Sequence, residues 1–364
     1  MKKKGILLAL VLVLVVSLVA ACAKPAPAPA PAPVPAPSAE VFQWKLYMET
    51  PIDWETNVAG PMMCEEIAGV TNDRLQITLF YEGEHPYKQQ DMLPVIQNRE
   101  CELTLFALGK LAGIEPRTSL LDLPMLMPGG DFEAYRELAE GLARDGFYRD
   151  VFAEWNVQQF LPFYFTGQNV YMTDTFLEDW DSFKGKKVRG WTVPIGDLIT
   201  LLNGDAVTID FKEVYHALQT GLIDGLLTGL NAAYGAKLFE VVKRGSMINY
   251  MFSYDPWVVN KDAWAELPSD VKNEVNKYLE SKWDFYALGR YYEDGLGMQD
   301  ACMLYGVQWH PVPPALIEEI RGKAYEGIWK KWMDRSGPEA AEAFNSVAKE
   351  ILARGISLPG YTPH

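Results

Sequence analysis

The octet KGKKVRGW, residues 184–191, is the densest cluster of positive charge after the N-terminal segment, in a chain whose formal net charge is −15. It contains Lys184, Lys186, Lys187 and Arg189. A guanidinium offers two parallel N–H donors that match a carboxylate, whereas an ammonium is a compact and strongly hydrated charge. The octet therefore permits three interpretations: a solvated strand edge, a nucleic-acid patch, or one directed cation with three bystanders.

Other residue types that could do chemistry form no catalytic motif. The sequence lacks the HExxH, GxSxG and CxxC patterns. One acidic run could supply the paired carboxylates of a secreted hydrolase, but such a run is more typical of a solvated face or a helix cap. It comprises Asp174, Glu178, Asp179 and Asp181. The segment EGEH, Glu82–His85, could in principle hold a metal ion, yet we expect neither a metal nor a cofactor. Cys64, Cys101 and Cys302 are interpreted as small buried apolar residues.

The N-terminus predicts an exported lipoprotein. Three lysines precede an apolar run that ends in small residues before Cys22, which is the pattern of an export signal over residues 1–21. Val-Ala-Ala-Cys also resembles a bacterial lipobox, so Cys22 is the expected lipidation site and the membrane anchor. The alternative is an uncleaved membrane anchor. Residues 22–39 form an Ala/Pro-rich linker with proline at every second position from Pro25 to Pro37, which predicts a semi-rigid polyproline II stalk. We therefore expect an extracytoplasmic, periplasmic protein.

The charge of the remaining chain excludes a nucleic-acid partner. Without residues 1–21, which hold three lysines, 30 basic residues face 48 acidic residues, and the formal charge is −18. Such a body repels nucleic acid, so the octet is not a phosphate-binding patch. About 325 residues follow the stalk, more than a single core usually supports, which predicts two domains.

The elements that would position the octet alternate between strands and helices, which indicates an α/β fold. The predicted strands are VFQWKLYME, LQITLFYEG, CELTLFAL, NVYMTD, KKVRGW and AVTIDF. Ligands of such sheets gather beyond the carboxyl ends of strands. In DFKEVYHALQTG we expect Asp210 to cap a helix with Glu213 in a capping box, and Gly221 to end it. From LPSDVKNEV to about Met303 the pattern predicts one helix long enough to span both domains.

Several of these segments, taken in order, resemble one protein family. They are SFKGKKVRGW, DLITLLNG, FKEVYHALQTGLIDG, AKLFEVVKRGSMINY and VVNKDAWAELPSDVKNEV. Their spacing resembles the extracytoplasmic solute-binding proteins of TRAP (tripartite ATP-independent periplasmic) transporters, the DctP-like family. The resemblance implies a two-lobed, periplasmic-binding-protein-like fold (type II-like) with a ligand cleft between the lobes and a long helix that spans both. We place lobe 1 at residues 40–165 plus 255–293 and lobe 2 at residues 166–254 plus 294–364.

The resemblance also implies a role for the octet. In this family the matching arginine forms a salt bridge to the solute carboxylate, so Arg189 is the expected ligand contact and the lysines face water. The alternative is that Arg189 pairs with an internal carboxylate. The other expected ligand-binding residues are Glu49, Trp54, Glu82, Phe106, Tyr164, Asn169, Trp191, Phe211, Thr228, Tyr254 and Asp255.

The chain departs from two subgroups of the family. Sialic acid binders carry a second arginine where this chain has Thr175, and metal-using binders of 2-oxo acids carry a glutamate–tryptophan pair where it has Leu226-Leu227-Thr228. We therefore expect a cleft with few polar groups and no metal. The expected partners are a small organic acid and the small and large integral membrane subunits of a TRAP permease. An ABC-type solute-binding lipoprotein and a secreted hydrolase remain as alternatives.

Overall fold

The computed structural model describes residues 40–48, 59–127, 131–144, 146–165 and 167–363, with only the backbone of residues 288–297. Contacts divide the chain into two units, Met1–Glu40 and Val41–His364, and the second contains all the elements that follow. The export signal, the stalk, Cys22, Glu49 and Trp54 lie outside the described residues.

A five-stranded mixed sheet forms from the N-terminal segment and one later strand. Its order is β2-β1-β3-β12-β4, in which β1 runs parallel to β2 and β3, and β12 runs antiparallel to both of its neighbours. The strands are β1 Phe42–Tyr47, β2 Leu75–Phe80, β3 Leu103–Leu105, β4 Val157–Leu161 and β12 Trp257–Asn260. The associated helices are α1 Ala59–Val70, α2 Met92–Gln97, α3 Phe132–Arg144, α4 Phe147–Glu154 and α8 Lys261–Glu266, and two 3₁₀ segments span Leu108–Gly113 and Pro116–Asp122.

A six-stranded mixed sheet forms the second half. Its order is β13-β10-β6-β9-β7-β8, and β7 runs parallel to both β8 and β9. The strands are β6 Gln168–Met172, β7 Lys187–Arg189, β8 Asp205–Val207, β9 Gly225–Gly229, β10 Arg244–Met247 and β13 Gln308–Pro311. The helices are α5 Val193–Leu201, α6 Phe211–Gln219, α7 Leu230–Gly235, α10 Pro314–Ala324, α11 Lys330–Ser336 and α12 Pro338–Ala353, with a π turn at Tyr325–Trp329.

Three stretches of chain connect the two sheets. Two of them pair as a short antiparallel ribbon, β5 Tyr164–Phe165 with β11 Ser253–Tyr254. The third is the helix α9, Ser269–Leu304, which confirms the predicted long helix. Early in α9 the Lys282 ammonium lies 2.7 Å from the Glu66 carboxylate of α1. Near its end, Cys302 belongs to the apolar cluster behind the second sheet. The predicted lobe boundaries remain a proposal, which this division of strands between the sheets supports.

Apolar side chains fill three buried clusters. One combines residues of both sheets, among them Tyr47 and Val188, with the C-terminal helices around Trp329. The second lies between the first sheet and helices α1, α8 and α9, and the third lies between the second sheet and helices α6 and α7. Because apolar burial is the main favourable term in folding, these clusters fix the sheets on which the polar residues stand.

The predicted caps of helix α6 are correct at one end and wrong at the other. Gly221 has φ +72° in the left-handed region, and the Leu222 N–H donates to the Ala217 carbonyl at 2.8 Å, which closes the helix. Asp210 occupies the N-cap position, but its side chain makes no capping hydrogen bond. The predicted capping box is therefore wrong, and the backbone of Asp210 alone starts the helix.

Candidate functional site

Arg189 ends strand β7, between two parallel neighbours. The strand is held on one side by β8 and on the other by β9, and the Gly190 N–H donates to the Val207 carbonyl at 3.1 Å. This is the carboxyl end of a parallel strand set, where ligands of α/β sheets gather. The Arg189 side chain is only 2% exposed, and its Nε donates to the Ile209 carbonyl at 3.4 Å. Its guanidinium carbon lies 5.5 Å from the centre of the Phe211 ring.

Arg189 is a buried cation without a counter-charge from the described part of the chain, where no carboxylate oxygen lies within 4.0 Å of its guanidinium nitrogens. Burial lowers the pKa of Arg189 to about 10, against opposing effects of Tyr250 and Asp210, so the group remains charged at neutral pH. A buried, unpaired charge is costly to a folded protein. Among the residues that the structure describes, the alternative of an internal salt bridge finds no partner.

The lysines of the octet are placed differently from Arg189. Lys184 and Lys187 are exposed. Lys186 lies 2.7 Å from the Asp174 carboxylate at the surface, and Lys184 lies 4.0 Å from that of Asp181. Solvated ion pairs of this kind contribute little to stability. Buried charge in this octet is thus confined to the arginine.

A second segment of chain meets the loop after β7. The Lys110 ammonium donates to the Trp191 carbonyl at 3.3 Å and lies 5.6 Å from the centre of the Trp191 ring. A β-carbon on Gly109 would lie 2.9 Å from the Trp191 ring and 3.2 Å from Thr192, so only glycine permits this approach. Burial raises the pKa of Tyr250 far above its usual value, against opposing effects of Trp191 and Arg189. The Tyr250 hydroxyl is buried and has no hydrogen-bond partner of normal geometry among the described residues.

Two buried carboxyl groups lie on segments that belong with the first sheet, Asp122 at the end of the second 3₁₀ segment and Asp255 just before β12. Asp122 is 2% exposed and Asp255 is 5% exposed. The Ser253 hydroxyl lies 3.2 Å from Asp255 Oδ1 and 3.5 Å from Asp122 Oδ1, and the Leu108 N–H donates to Asp255 Oδ1 at 3.3 Å. Burial raises the pKa of Asp255 to about 7. Burial and the neighbouring Asp255 raise the pKa of Asp122 well above its usual value.

The structure brings together only some of the predicted ligand-binding residues. Arg189, Trp191 and Phe211 lie together, and Asp255 belongs to the adjoining carboxyl pair. The buried rings of Phe106, Tyr164 and Tyr254 pack in the aromatic core.

The remaining predicted residues lie elsewhere. The Asn169 amide is bound within the chain, since Nδ2 donates to the Gly167 carbonyl and Oδ1 accepts from the Ile248 and Asn249 N–H groups. Thr228 is buried opposite Asn169 in the sheet. Glu82 is exposed and forms an isolated bridge with His85 across a turn.

Sequence reasoning missed Gly109, Lys110, Asp122 and Tyr250. Only Asp122 carried a signal, as a lone acid in the apolar run SLLDLPML. Burial of an acid without a basic partner is rare enough to indicate function. Gly109 and Tyr250 become informative only once the fold places them beside Trp191.

Other features of the described residues indicate no second kind of site. Among these residues no group of three or more His, Cys, Asp or Glu side chains is placed to hold a metal ion, and none of their helices combines the length and the apolar character that a membrane span requires. Cys64, Cys101 and Cys302 are free thiols there, and burial raises the pKa of Cys64 to about 12. A surface groove of about 510 Å³, lined by Arg74, Asp270 and Lys277 among others, contains none of the predicted ligand-binding residues.

Known proteins share both the sequence pattern and the fold. Residues 49–331 match the model of a family described as bacterial extracellular solute-binding protein, family 7. The C4-dicarboxylate-binding periplasmic protein DctP of Rhodobacter capsulatus is 26% identical over 229 residues, 62% of this chain and 67% of that protein.

Two solved structures of TRAP periplasmic solute binding proteins share the predicted two-lobed α/β fold. One, from Chromohalobacter salexigens with bound D-glucuronate, has a TM-score of 0.72 at 20% identity and covers 84% of this chain and 99% of its own. The other, from Rhodoferax ferrireducens with bound malonate, has a TM-score of 0.73 at 17% identity and covers 85% of this chain and 98% of its own.

Proposed function

The chain belongs to family 7 of the bacterial extracellular solute-binding proteins, the DctP-like binding proteins of TRAP transporters, and from this premise we propose that it captures a small organic acid through Arg189. The family serves transport and is not a family of enzymes. The resemblance drawn from the octet and the segments after it is thereby confirmed. A secreted hydrolase and an ABC-type binding protein lose their support.

The observation that carries the proposal is the buried guanidinium without a carboxylate partner among the described residues. A solute carboxylate would supply the missing charge and accept two parallel N–H bonds. The Phe211 ring packs against the guanidinium, and the half-buried Trp191 follows Arg189 by two residues. Both would give the solute an apolar wall. Relatives named for a C4-dicarboxylate and solved with D-glucuronate or malonate bind solutes that contain carboxylates.

Capture requires that the protein open and close. Because Arg189 is 2% exposed in this conformation, a solute reaches it only when the segments that cover it move away. The Lys110–Trp191 contact joins a segment of the first half to the loop after β7 and would separate on opening. Closure then expels water, which strengthens the ion pair, and the solute selects the closed state by its higher affinity for that state.

A thermal-shift screen against organic acids tests the proposal. A bound solute stabilises the folded protein by mass action and so raises its melting temperature. At a solute concentration 100 times the Kd, the free energy of unfolding increases by about 2.7 kcal/mol. We expect stabilisation by at least one carboxylate and none by its uncharged amide. A screen in which neutral sugars stabilise the protein and carboxylates do not would contradict the proposal.

Delivery and anchoring complete the proposed function. Binding proteins of this family work with TRAP membrane subunits, and we propose that the closed, loaded form is the one these subunits recognise. We also propose that a lipid on Cys22 holds the protein at the membrane and that the stalk separates the body from it.

Replacement of Cys22 tests the anchor. Cys22→Ser should release processed protein from membranes or block processing, as followed by fractionation and gel mobility. Unchanged membrane association and unchanged processing would contradict the anchor while leaving solute binding unaffected.

A further inference from the structure

Asp122 has a carboxylate oxygen that the described part of the chain leaves without a hydrogen-bond partner. Its Oδ1 lies beside the Ser253 hydroxyl, whereas Oδ2 is buried and has no hydrogen bond of normal geometry among those residues, although the Gly109 N–H is near enough to the carboxyl group to oppose the rise of its pKa. No described lysine or arginine nitrogen lies within 4.0 Å of the carboxyl group of Asp122 or Asp255. An unsatisfied buried polar atom is rare in a native protein and calls for an explanation.

The unpartnered oxygen lies next to the loop after β7. A β-carbon on Gly109 would lie 2.6 Å from Asp122 Oδ2 and 2.9 Å from Trp191 Cζ3, so oxygen and ring approach the same side of Gly109. Tyr250 is close enough to both Arg189 and Asp122 for each charge to affect its hydroxyl. The buried acid thus lies near the ring of Trp191, which follows the buried cation by two residues in the chain.

The segment that carries Asp122 is rigidly held. The Tyr148 hydroxyl accepts from the Leu121 N–H at 3.1 Å and donates to the Thr118 carbonyl at 2.9 Å. The Trp332 indole donates to the Ser119 hydroxyl at 2.9 Å. Fixed supports of this kind are what a binding group needs if it is to keep its direction.

We propose that Asp122 is a second polar contact of the solute site, and that the solute is a carboxylic acid that also carries a hydrogen-bond donor, an amine or a hydroxyl, rather than a dicarboxylate. The inference rests on the proposed role of Arg189. A donor on the solute would satisfy Oδ2, and an ammonium would add a counter-charge. A second carboxylate at the same place would bring further negative charge to a buried carboxyl pair and has no proton to donate to Oδ2.

Matched probes test this solute class. Calorimetry compares amino acids, hydroxy acids and dicarboxylates of three to six carbons, in sets with the same carbon skeleton. On the wild-type protein we expect an amine- or hydroxyl-bearing acid to bind at least tenfold more tightly than the dicarboxylate of its set. Within a set, tighter binding of the amino acid indicates an amine on the solute, and tighter binding of the hydroxy acid indicates a hydroxyl. Asp122→Asn should reduce that preference tenfold or more, because the amide presents a donor where the solute needs an acceptor.

A second measurement does not depend on the choice of probe. If Oδ2 is an unsatisfied acceptor, Asp122→Asn should raise the melting temperature of the unliganded protein at pH 7.5. The matched control is Glu115→Gln, at a buried acid whose oxygens accept from Arg117 at 2.7 Å, and it should lower the melting temperature without changing the solute preference.

The outcomes separate the two proposals. Three outcomes would overturn the role of Asp122 and leave that of Arg189 intact. They are a preference of the wild-type protein for dicarboxylates, an unchanged preference in Asp122→Asn, and a lower melting temperature of unliganded Asp122→Asn. If Arg189→Met binds every acid as tightly as the wild-type protein does, the role of Arg189 itself is overturned.

Discussion

At the scale of single residues, the proposed site is defined by side chains whose charges the described part of the chain does not neutralise. Arg189 and Lys187 lie two positions apart on one strand, yet Arg189 is buried and Lys187 is exposed. The period of two in a strand places both on the same face, so the difference comes from what covers each. Phe211 packs against the Arg189 guanidinium, and we propose that burial makes this arginine a strong binding group.

Replacement of Arg189 gives the sharpest prediction at this scale. Arg189→Ala should weaken binding of the solute by about 3–5 kcal/mol, because it leaves the solute carboxylate buried without a partner. That is about two to four decades in Kd. Arg189→Lys should also fail substantially, since an ammonium cannot form the two parallel bonds. Calorimetry with an identified solute measures both.

The controls are Lys186→Ala and Lys187→Ala, which remove solvated charges and should change the affinity only slightly. Equal losses in all four variants would indicate a general electrostatic effect. Arg189→Met should not lower the melting temperature of the unliganded protein, because it removes a buried, unpaired charge. A large loss of stability there would indicate an internal partner for the arginine.

The carboxyl pair predicts a dependence of stability on pH. Burial raises the pKa of Asp255 to about 7 in the folded protein, so the folded state binds its proton more tightly than the unfolded state. The contribution of Asp255 to the free energy of unfolding is fully present below its pKa in the unfolded state, and it is lost as the pH rises from there through 7. One pKa unit corresponds to ~1.4 kcal/mol.

We expect the melting temperature of the unliganded protein to fall from pH 5 to pH 8, and to fall by several degrees less in Asp255→Asn. Calorimetric scans at several pH values measure the difference. The same slope in both proteins would show that Asp255 titrates at its usual value when folded.

At the scale of elements, the 3₁₀ segment Leu108–Gly113 controls how closely the two halves meet. It provides Gly109, against which Trp191 and Asp122 both pack, and Lys110, which binds the Trp191 carbonyl. The segment is short and has no apolar periodicity, so its importance depends entirely on what lies opposite it in the fold.

Gly109→Ala should displace Trp191 or Asp122, because the new β-carbon would lie 2.9 Å and 2.6 Å from them. We expect tenfold or greater loss of affinity and about 1–3 kcal/mol lower stability, as is typical of overpacking. The matched control is Gly113→Ala in the same segment, where a β-carbon has no neighbour within 4 Å. Equal binding by the two variants would contradict this role of Gly109.

The sequence predicted elements far better than it predicted the site. Strands β1, β2 and β7 and helices α6 and α9 follow from periodicity and local signals, which depend on near neighbours in the chain. Tyr250 and Asp122 could not be found this way, because their role depends on contacts with residues far away in the sequence. Tyr254 shows the reverse: an aromatic ring expected at the site lies in the core.

At the scale of the whole molecule, the three connections between the sheets form the hinge we propose. The ribbon of β5 and β11 is two residues long on each strand, so small changes in its backbone angles would turn one sheet relative to the other. The Lys110–Trp191 contact then acts as a latch between the halves in the closed form.

Hinge closure predicts a change in the size of the molecule. Small-angle scattering should give a radius of gyration a few per cent smaller at saturating solute, from roughly 20 Å for a body of this size. Gly109→Ala should reduce this change, since it separates the surfaces that meet. The same radius with and without solute would indicate a rigid cleft.

The place of β12 in the first sheet has a consequence for how the protein is made. This strand lies between β3 and β4, yet it is synthesised long after both, and β13 joins the second sheet later still. A nascent chain therefore holds unpaired strand edges in the first sheet until residue 260 has left the ribosome, and in the second sheet until residue 311 has left it. Late completion delays folding, and a chain that is still unfolded is the form that can thread through a narrow membrane pore. The same delay exposes those edges to aggregation, so a chaperone that holds the nascent chain should increase the yield of secreted protein.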